Sequence, residues 1–314
     1  MIAENSALPR EMAMEAESFV LMGTIVNVWV VGPGPLAPKR RSIARAVEAM
    51  HRVENVCSRF DEQSELRQLC QRPGQAVEVS PILFHALEIA ITTSELTAGA
   101  FDPTVGRILE LQGFNQNYLT GQTVSTRSAD DSSASYKDIR LCKASHSVVL
   151  EKPMALDLGA VAKGLAVDLA AKELEGWEGF AIDAGGDCYV NGRDPTGEAW
   201  TVGVEDPRDP TRSKVWLKLS QHAVCTSGNY KRIAPKNPGF PHLYDPVHGL
   251  SDPGFLSMSV VAPLTVLADV LATAAFLLGP GSGLEFIESQ GLAALAVVNN
   301  GQTVMTSTMK EYLR

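Results

Sequence analysis

Three oxygen-bearing side chains, Thr265, Asp269 and Thr273, stand four residues apart in a segment that is otherwise apolar from Leu264 to Leu278. Such a composition predicts a helix buried on all sides, and Gly279-Pro280 directly after it is a stop signal. On a helix, a spacing of four puts the three side chains on one face. A carboxylate in that setting is costly unless it is paired or holds a cation. Asp269 and Thr273 offer oxygen one turn apart, the donor that magnesium-like cations take. The competing role is structural: Asp269 bonded to nearby backbone and the threonines bonded back to their own helix. The segment is too short for a membrane span and carries Asp269 near its middle.

Other residues carry chemistry in less specific patterns. Ala155 to Gly164 (ALDLGAVAKG) runs from strand into helix. Free amides and Lys163 in the first turns suit a phosphate, although the Walker pattern, Gly-x4-Gly-Lys-Ser/Thr, is absent. Asp157 at the strand end suits a cation or a ligand donor; a plain strand–helix turn with a surface lysine fits the same pattern. Asp102 precedes Pro103 in a loop bounded by Gly99 and Gly106, which holds it extended, as a turn residue or as a presented carboxylate. Phe60 in the polar Ser58–Asp61 loop is a stacking platform or a cap on the core. Gly23 in Met22-Gly23-Thr24 lets a ligand approach a strand, or marks a bulge. His242 is an acid–base candidate, or a hydrogen-bonding loop residue.

Composition narrows the class. The chain has 314 residues, 45% hydrophobic and 20% charged, ordinary for a soluble globular protein. A net charge of −9 without any basic run argues against nucleic acid as a partner. Five scattered cysteines with no Cys-x-x-Cys pair point to neither a zinc site nor a disulfide framework. The acidic residues 1–18 lack the basic start and apolar core of a secretory signal, and no lipid-anchor cysteine follows. The expectation is a cytoplasmic protein with no membrane segment.

The elements that must position these residues are mixed. Residues 1–17 are expected to form a loose tail and 18–314 a single composite domain. A strand is expected over Ser18–Val31, interrupted at Met22-Gly23-Thr24, then an amphipathic helix over Lys39–Cys57. Ser80-Pro81 opens a second helix. Gln112 to Tyr136 is polar and is expected to form a mobile loop or an insertion. Short strands follow the Lys163 helix, and Ser257–Val261 feeds the Asp269 helix. Without regular strand–helix–strand alternation, the fold class is α+β, with mixed, mostly antiparallel sheets and packed helices.

Taken in order, the motifs resemble the ApbE family, the FAD:protein FMN transferases. The matching pieces are Met22-Gly23-Thr24, Ser64-Glu65-Leu66, Gly99 to Gly106 (GAFDPTVG) and Asp157 to Gly164 (DLGAVAKG). Asp183 to Asp187 (DAGGD), Thr226 to Tyr230 (TSGNY), His242 to Pro246 (HLYDP) and Ala268 to Ala274 (ADVLATA) follow. The resemblance covers roughly residues 20–310 and implies a fold related to the T-fold.

The resemblance implies a Mg²⁺-dependent enzyme that splits FAD, moves FMN to a Thr or Ser hydroxyl of an acceptor flavoprotein, and releases AMP. It implies metal ligation by the Ala160 carbonyl, Asp269, Thr273 and the Ala272 carbonyl. FAD contacts are implied at Met22, Phe60, Ala100, Phe101, Asp102, Asp157, Lys163 and Leu243. His242, Asp269 and Lys163 fall at positions tied to catalysis. Three departures stand out: Cys70 and Asp187 where family members often have Asn, and Phe60 where Tyr is common. Two further expectations use the same residues, an FAD pyrophosphatase yielding FMN and AMP, and a flavin-binding protein without turnover.

Overall fold

The computed structural model describes residues 13–125, 131, 133–230, 234–237, 240–249 and 254–314. The first strand, β1 (Ala13–Leu21), pairs antiparallel with β2 (Thr24–Gly32). Between them Met22 and Gly23 both have positive φ, 53° and 72°, the backbone of a two-residue hairpin turn. The stretch read as one interrupted strand is therefore two strands. Nor does the tail reach residue 17, because β1 starts at Ala13, where Glu15 is buried against Arg40 at 2.7 Å. The rest of the expected tail, residues 1–12, lies outside the described residues.

The helix α1 (Leu36–Cys57) follows, then the short α2 (Glu65–Cys70), capped by Ser64 Oγ accepting from Arg67 N at 3.1 Å. After β3 (Ala76–Glu78) comes α3 (Pro81–Leu96), whose cap Ser80 accepts from Leu83 N. Next are α4 (Gly106–Leu111), β4 (Ile139–Cys142), β5 (Ser147–Leu150) and α5 (Gly159–Leu174). Five strands follow: β6 (Gly179–Ala184), β7 (Asp187–Gly192), β8 (Trp200–Asp206), β9 (Asp209–Leu219) and β10 (His222–Ser227). The chain closes with β11 (Phe255–Ala262), α6 (Thr265–Leu278), α7 (Ser282–Ser289), β12 (Ala293–Val298) and β13 (Thr303–Met305).

Eight strands form one antiparallel sheet in the order β1-β2-β6-β7-β10-β11-β12-β13. Alternation along the strands sorts its faces. Val26, Val28, Val30, Phe180, Ile182, Met258 and Val260 enter the larger core, together with α1, α5 and α6. Ala181, Val190, Val224, Val261 and Leu295 turn the other way and pack against β8 and β9, which pair with each other. The fold is α+β, as expected from the element pattern. Among the described residues no helix is long and apolar enough to cross a membrane.

Two contacts fix the helix that carries Asp269. The Asp168 carboxylate of α5 accepts from Thr265 N at 2.7 Å and Val266 N at 2.9 Å, capping α6 from outside. Gly164 lies at the crossing of α5 and α6, where a Cβ would stand 2.5 Å from Val266 Cα and 2.7 Å from Thr265 O. Only glycine permits that approach.

Candidate active site

At one end of the sheet, α5 and α6 meet the ends of β7 and β10 around a cavity of about 420 Å³. A second cavity of about 260 Å³ adjoins it and shares Arg59, Phe60, Gln116, Asp157, Gly159 and Lys163. Together they reach the size range of small-molecule and cofactor sites, about 300–1,000 Å³.

The buried centre is a charge cluster. Lys163 Nζ donates to Asp187 Oδ2 and, at 3.2 Å, to Asp269 Oδ2. Gly164 N also donates to Asp269 Oδ2, at 3.2 Å. Burial, reinforced by the Asp187 charge, pushes Asp269 up to about 7 against the pull of Lys163. Burial acts to lower Lys163, but Asp187 and Asp269 outweigh it and hold its ammonium above the ordinary lysine range. The neighbouring Cys225 thiol is pushed well up, by burial first and then by the two carboxylates.

One turn beyond Asp269, Thr273 Oγ1 meets Ser227 Oγ at 2.8 Å. Asp269, Thr273 and Ala160 line the same cavity. Thr265, the third polar residue of the stripe, is buried at the start of α6 and lines neither cavity. Ala272 is fully buried in the core and is likewise outside the lining.

Toward the second cavity, Arg59 Nε donates to Asp157 Oδ2 and its guanidinium stacks 4.2 Å over the Phe60 ring. Asp157 Oδ1 accepts from Gly159 N at 2.8 Å, so this carboxylate also closes the first turn of α5. Met22 lines the second cavity from the hairpin turn, with its N donating to Glu54 at 2.9 Å. Tyr118 donates to the same Glu54 oxygen at 2.7 Å, and Gly113 to Gln116 line the first cavity. These residues belong to the stretch expected to form a loop; its residues 126–130 and 132 lie outside the described residues.

Phe101 and Asp102 line the first cavity, and Ala100 is buried beside them. The Asp102 carboxylate accepts from Thr104 N at 2.8 Å and Tyr136 N at 2.9 Å, which gives it a turn-holding role besides its place in the wall. Burial raises its pKa despite these donors. His242 and Leu243 line the same cavity, with the imidazole edge-on to Phe114 at 6.3 Å between ring centroids. Asp245 accepts from Val247 N, His248 N and His248 Nδ1, and organises that loop away from the cavity lining.

The structure adds partners that the sequence pattern did not assign. Arg59 is flanked by an aromatic in a polar loop, which marked Phe60 but gave the arginine no partner. Asp187 stood out only as a departure from the family pattern, yet it is the nearest neighbour of Lys163. Asp168 gave no signal, because its partners lie about a hundred residues further on. Among the described residues lining the first cavity, two cations, Arg59 and Lys163, face four carboxylates, Asp102, Asp157, Asp187 and Asp269. With all four carboxylates ionised, these described side chains carry an excess of negative charge, which a proton on Asp269 reduces.

The donor set fits a hard divalent cation. Asp269 and Thr273, whose side chains carry oxygen, line one cavity together with Ala160. Among the described residues no group of three or more His, Cys, Asp or Glu side chains is placed to hold a metal. Magnesium needs no such cage, because it takes one or two carboxylates and completes its shell with water and phosphate.

Comparison with known proteins agrees with this architecture. The chain is 26% identical to the FAD:protein FMN transferase of Haemophilus influenzae, over 98% of this chain and 93% of that protein. It is 29% identical to the protein of the same name from Treponema pallidum, over 83% of this chain and 77% of that one. Among solved structures, the ApbE protein of Thermotoga maritima superposes with a TM-score of 0.82, at 29% identity, covering 96% of this chain and all of that one. The flavinyl transferase ApbE of Pseudomonas stutzeri shares the fold at a TM-score of 0.80 and 24% identity, covering 97% of this chain and 99% of that one. The ApbE family model itself matches residues 22–296. That span runs from the hairpin turn at Met22 into β12 and encloses both cavities, and the chain therefore belongs to the ApbE family.

Proposed function

We propose that this protein is an FAD:protein FMN transferase that moves FMN from FAD to a Thr or Ser hydroxyl of an acceptor protein. The acceptor oxygen forms a bond to the FMN phosphorus, the bridging bond to AMP breaks, and AMP leaves. The observation that carries the reading is the excess of carboxylates over cations among the described residues that line the cavity with Asp269. A pyrophosphate is itself anionic and is repelled by such a cavity unless a cation enters with it. Phosphoryl transfer is mostly positioning and charge neutralisation, so a site built to recruit a cation suits that chemistry.

Asp269, Thr273 and the Ala160 carbonyl are the residues that would hold Mg²⁺; the Ala272 carbonyl, also a candidate, lies off the cavity. Bound there, the ion supplies positive charge to the pyrophosphate oxygens. Lys163 fixes the orientation of Asp269 and, with Asp187, its charge. Arg59 and Phe60 form a flat platform for an aromatic ring, and Met22, Leu243 and the Ala100–Asp102 loop close around the nucleotide. His242, which lines the same cavity, would take the proton released by the acceptor hydroxyl.

The test is incubation of the protein with FAD and Mg²⁺, with and without a peptide carrying one Thr among small residues. The expected result is AMP matched by peptide-bound FMN. AMP matched by free FMN at the same rate in both samples would replace transfer with hydrolysis. FAD retained without AMP would replace both with binding alone.

A further inference from the structure

Lys163, Asp187 and Asp269 come from three elements of unequal freedom. Asp187 opens β7 and pairs with Ala184 across the Gly185-Gly186 turn, so the sheet holds it. Asp269 stands on α6, where Gly164 N donates to its Oδ2 at 3.2 Å from the backbone of the helix crossing. Both carboxylate side chains are 5% exposed. Lys163 is 20% exposed and reaches them on a flexible stem, so it is the member of the cluster that moves most easily.

The Asp269 oxygen that Lys163 meets at 3.2 Å belongs to the carboxylate proposed to hold the cation. A divalent ion and an ammonium on one carboxylate repel each other, the more so in a site largely shut off from water. An ammonium that draws back inside such a site is costly unless a second anion keeps it. Asp187 already accepts from Lys163 and lines the same cavity as Asp269. With an ion on Asp269, the charges resolve into two pairs, the ion with Asp269 and Lys163 with Asp187. Gly164 N, which needs no lysine, keeps Asp269 oriented.

We propose that Asp187 is a positioning residue for cation binding: it takes over the Lys163 ammonium when a divalent cation takes Asp269. The role rests on the transferase reading above, in which Asp269 holds the cation. It differs from a purely structural ion pair, because it makes the effect of Asp187 on the metal depend on Lys163.

The probe is Mn²⁺ alone, which takes the same oxygen donors as Mg²⁺ and whose free form is counted by electron paramagnetic resonance. Its affinity is measured for the wild type, Asp187→Asn, Lys163→Met and the double variant, with melting temperatures alongside. Asparagine keeps the shape of Asp187 and removes its charge. The expected result is binding weaker by about tenfold or more in Asp187→Asn, because the displaced ammonium has lost the carboxylate that receives it. With Lys163→Met there is no ammonium to place, and adding Asp187→Asn costs several-fold less. Equal losses in the two backgrounds, within about twofold, make Asp187 a plain charge beside the ion and overturn the handover. Wild-type affinity in Asp187→Asn, or no Mn²⁺ bound by the wild type, overturns it too.

AMP release from FAD is expected to need more Mg²⁺ in Asp187→Asn, with the rate at saturating Mg²⁺ less affected; a rate lowered equally at every Mg²⁺ concentration means a structural role instead. The NMR signal of the Lys163 ammonium in the wild type, assigned by its loss in Lys163→Met, gives a check that needs no change at Asp187. It is expected to shift on addition of Mg²⁺ and to stay visible. No shift, or loss of the signal to exchange with solvent, overturns the handover. Each of these failures leaves the transferase reading intact, whereas no AMP release and no FMN transfer by the wild type removes both.

Discussion

Lys163 Nζ lies 3.2 Å from Asp269 Oδ2 and is held on its other side by Asp187, so one ammonium serves two buried carboxylates. The pair leaves Asp269 raised to about 7, by burial first and by Asp187 second. An ordinary aspartate titrates near 4 in the unfolded chain, so between these values the folded protein holds a proton that the unfolded chain has lost. That contribution to stability is fully present below about pH 4 and is lost as pH rises through about 7. Urea unfolding in a chelator is expected to show wild-type stability falling across this window, with a shallower slope in Asp269→Asn, since buried Asp102 and Asp168 are raised too. Cation binding must displace the same proton, so titration calorimetry is expected to show Mg²⁺ affinity weakening below about pH 7. Asp269→Asn is expected to remain folded and to lose AMP release by about a hundredfold or more. A slope unchanged by Asp269→Asn, or full activity in the variant, would remove Asp269 from the centre of the site.

The crossing of α5 and α6 gives a second prediction. A Cβ on Gly164 would stand 2.5 Å from Val266 Cα, a backbone atom that cannot rotate away. Gly164→Ala must push the helices apart, at a cost of about 1–3 kcal/mol for overpacking. Because Gly164 N also donates to Asp269, the shift reaches the site. The expected outcome is a lower melting temperature together with weaker Mg²⁺ binding. An alanine variant with wild-type melting and wild-type metal affinity would show that the crossing adapts.

Much of this was legible because local patterns matched the tertiary outcome. The apolar run with Asp269 and Thr273 one turn apart marked the buried helix and its polar face before any neighbour was known. Ser80-Pro81 and Gly279-Pro280 marked helix ends because capping is local chemistry. Met22-Gly23 was harder: a two-residue hairpin turn normally carries Asn, Asp or Gly at its first position, and Met at positive φ gives no such signal. Asp168 and Arg59 were harder still, since their roles exist only once distant segments meet. Lys163 lines the cavity that its motif suggested, but its charge is engaged by Asp187 and Asp269, a fact that no spacing along the chain could supply.

Arg59 ties the two adjoining cavities through Asp157 and Phe60, and its side chain is 7% exposed. Arg59→Ala takes the guanidinium away from a largely buried carboxylate. Because Asp157 keeps 19% exposure and the Gly159 amide, the loss is expected at about 2 kcal/mol, below the roughly 3–5 typical of a fully buried pair. Arg59→Lys keeps the charge but loses the flat, forked group that both bonds Asp157 and stacks on Phe60. Thermal unfolding and FAD binding by fluorescence quenching are the measurements. The lysine variant is expected to recover more of the stability than of the FAD affinity. Equal recovery of both would mean that the charge alone matters and that stacking contributes little.

Thr273 Oγ1 and Ser227 Oγ, 2.8 Å apart, give the sharpest separation of structural from ligand roles. Thr273→Val keeps the shape of the side chain and removes its oxygen, while Thr273→Ser keeps the oxygen and removes a methyl group. If Thr273 serves only the core, serine is the worse variant, because it leaves a methyl-sized void in a helix buried on nearly every face. If its hydroxyl holds the cation, valine is the worse variant for Mg²⁺ affinity, and serine stays close to wild type. Ser227→Ala removes the hydroxyl partner without touching the proposed donor, so its expected effect on affinity is smaller than that of Thr273→Val. Calorimetric Mg²⁺ titration of the three variants, with their melting temperatures measured alongside, separates the two roles. Valine binding the ion as tightly as wild type would reduce the oxygen set to Asp269 and the Ala160 carbonyl.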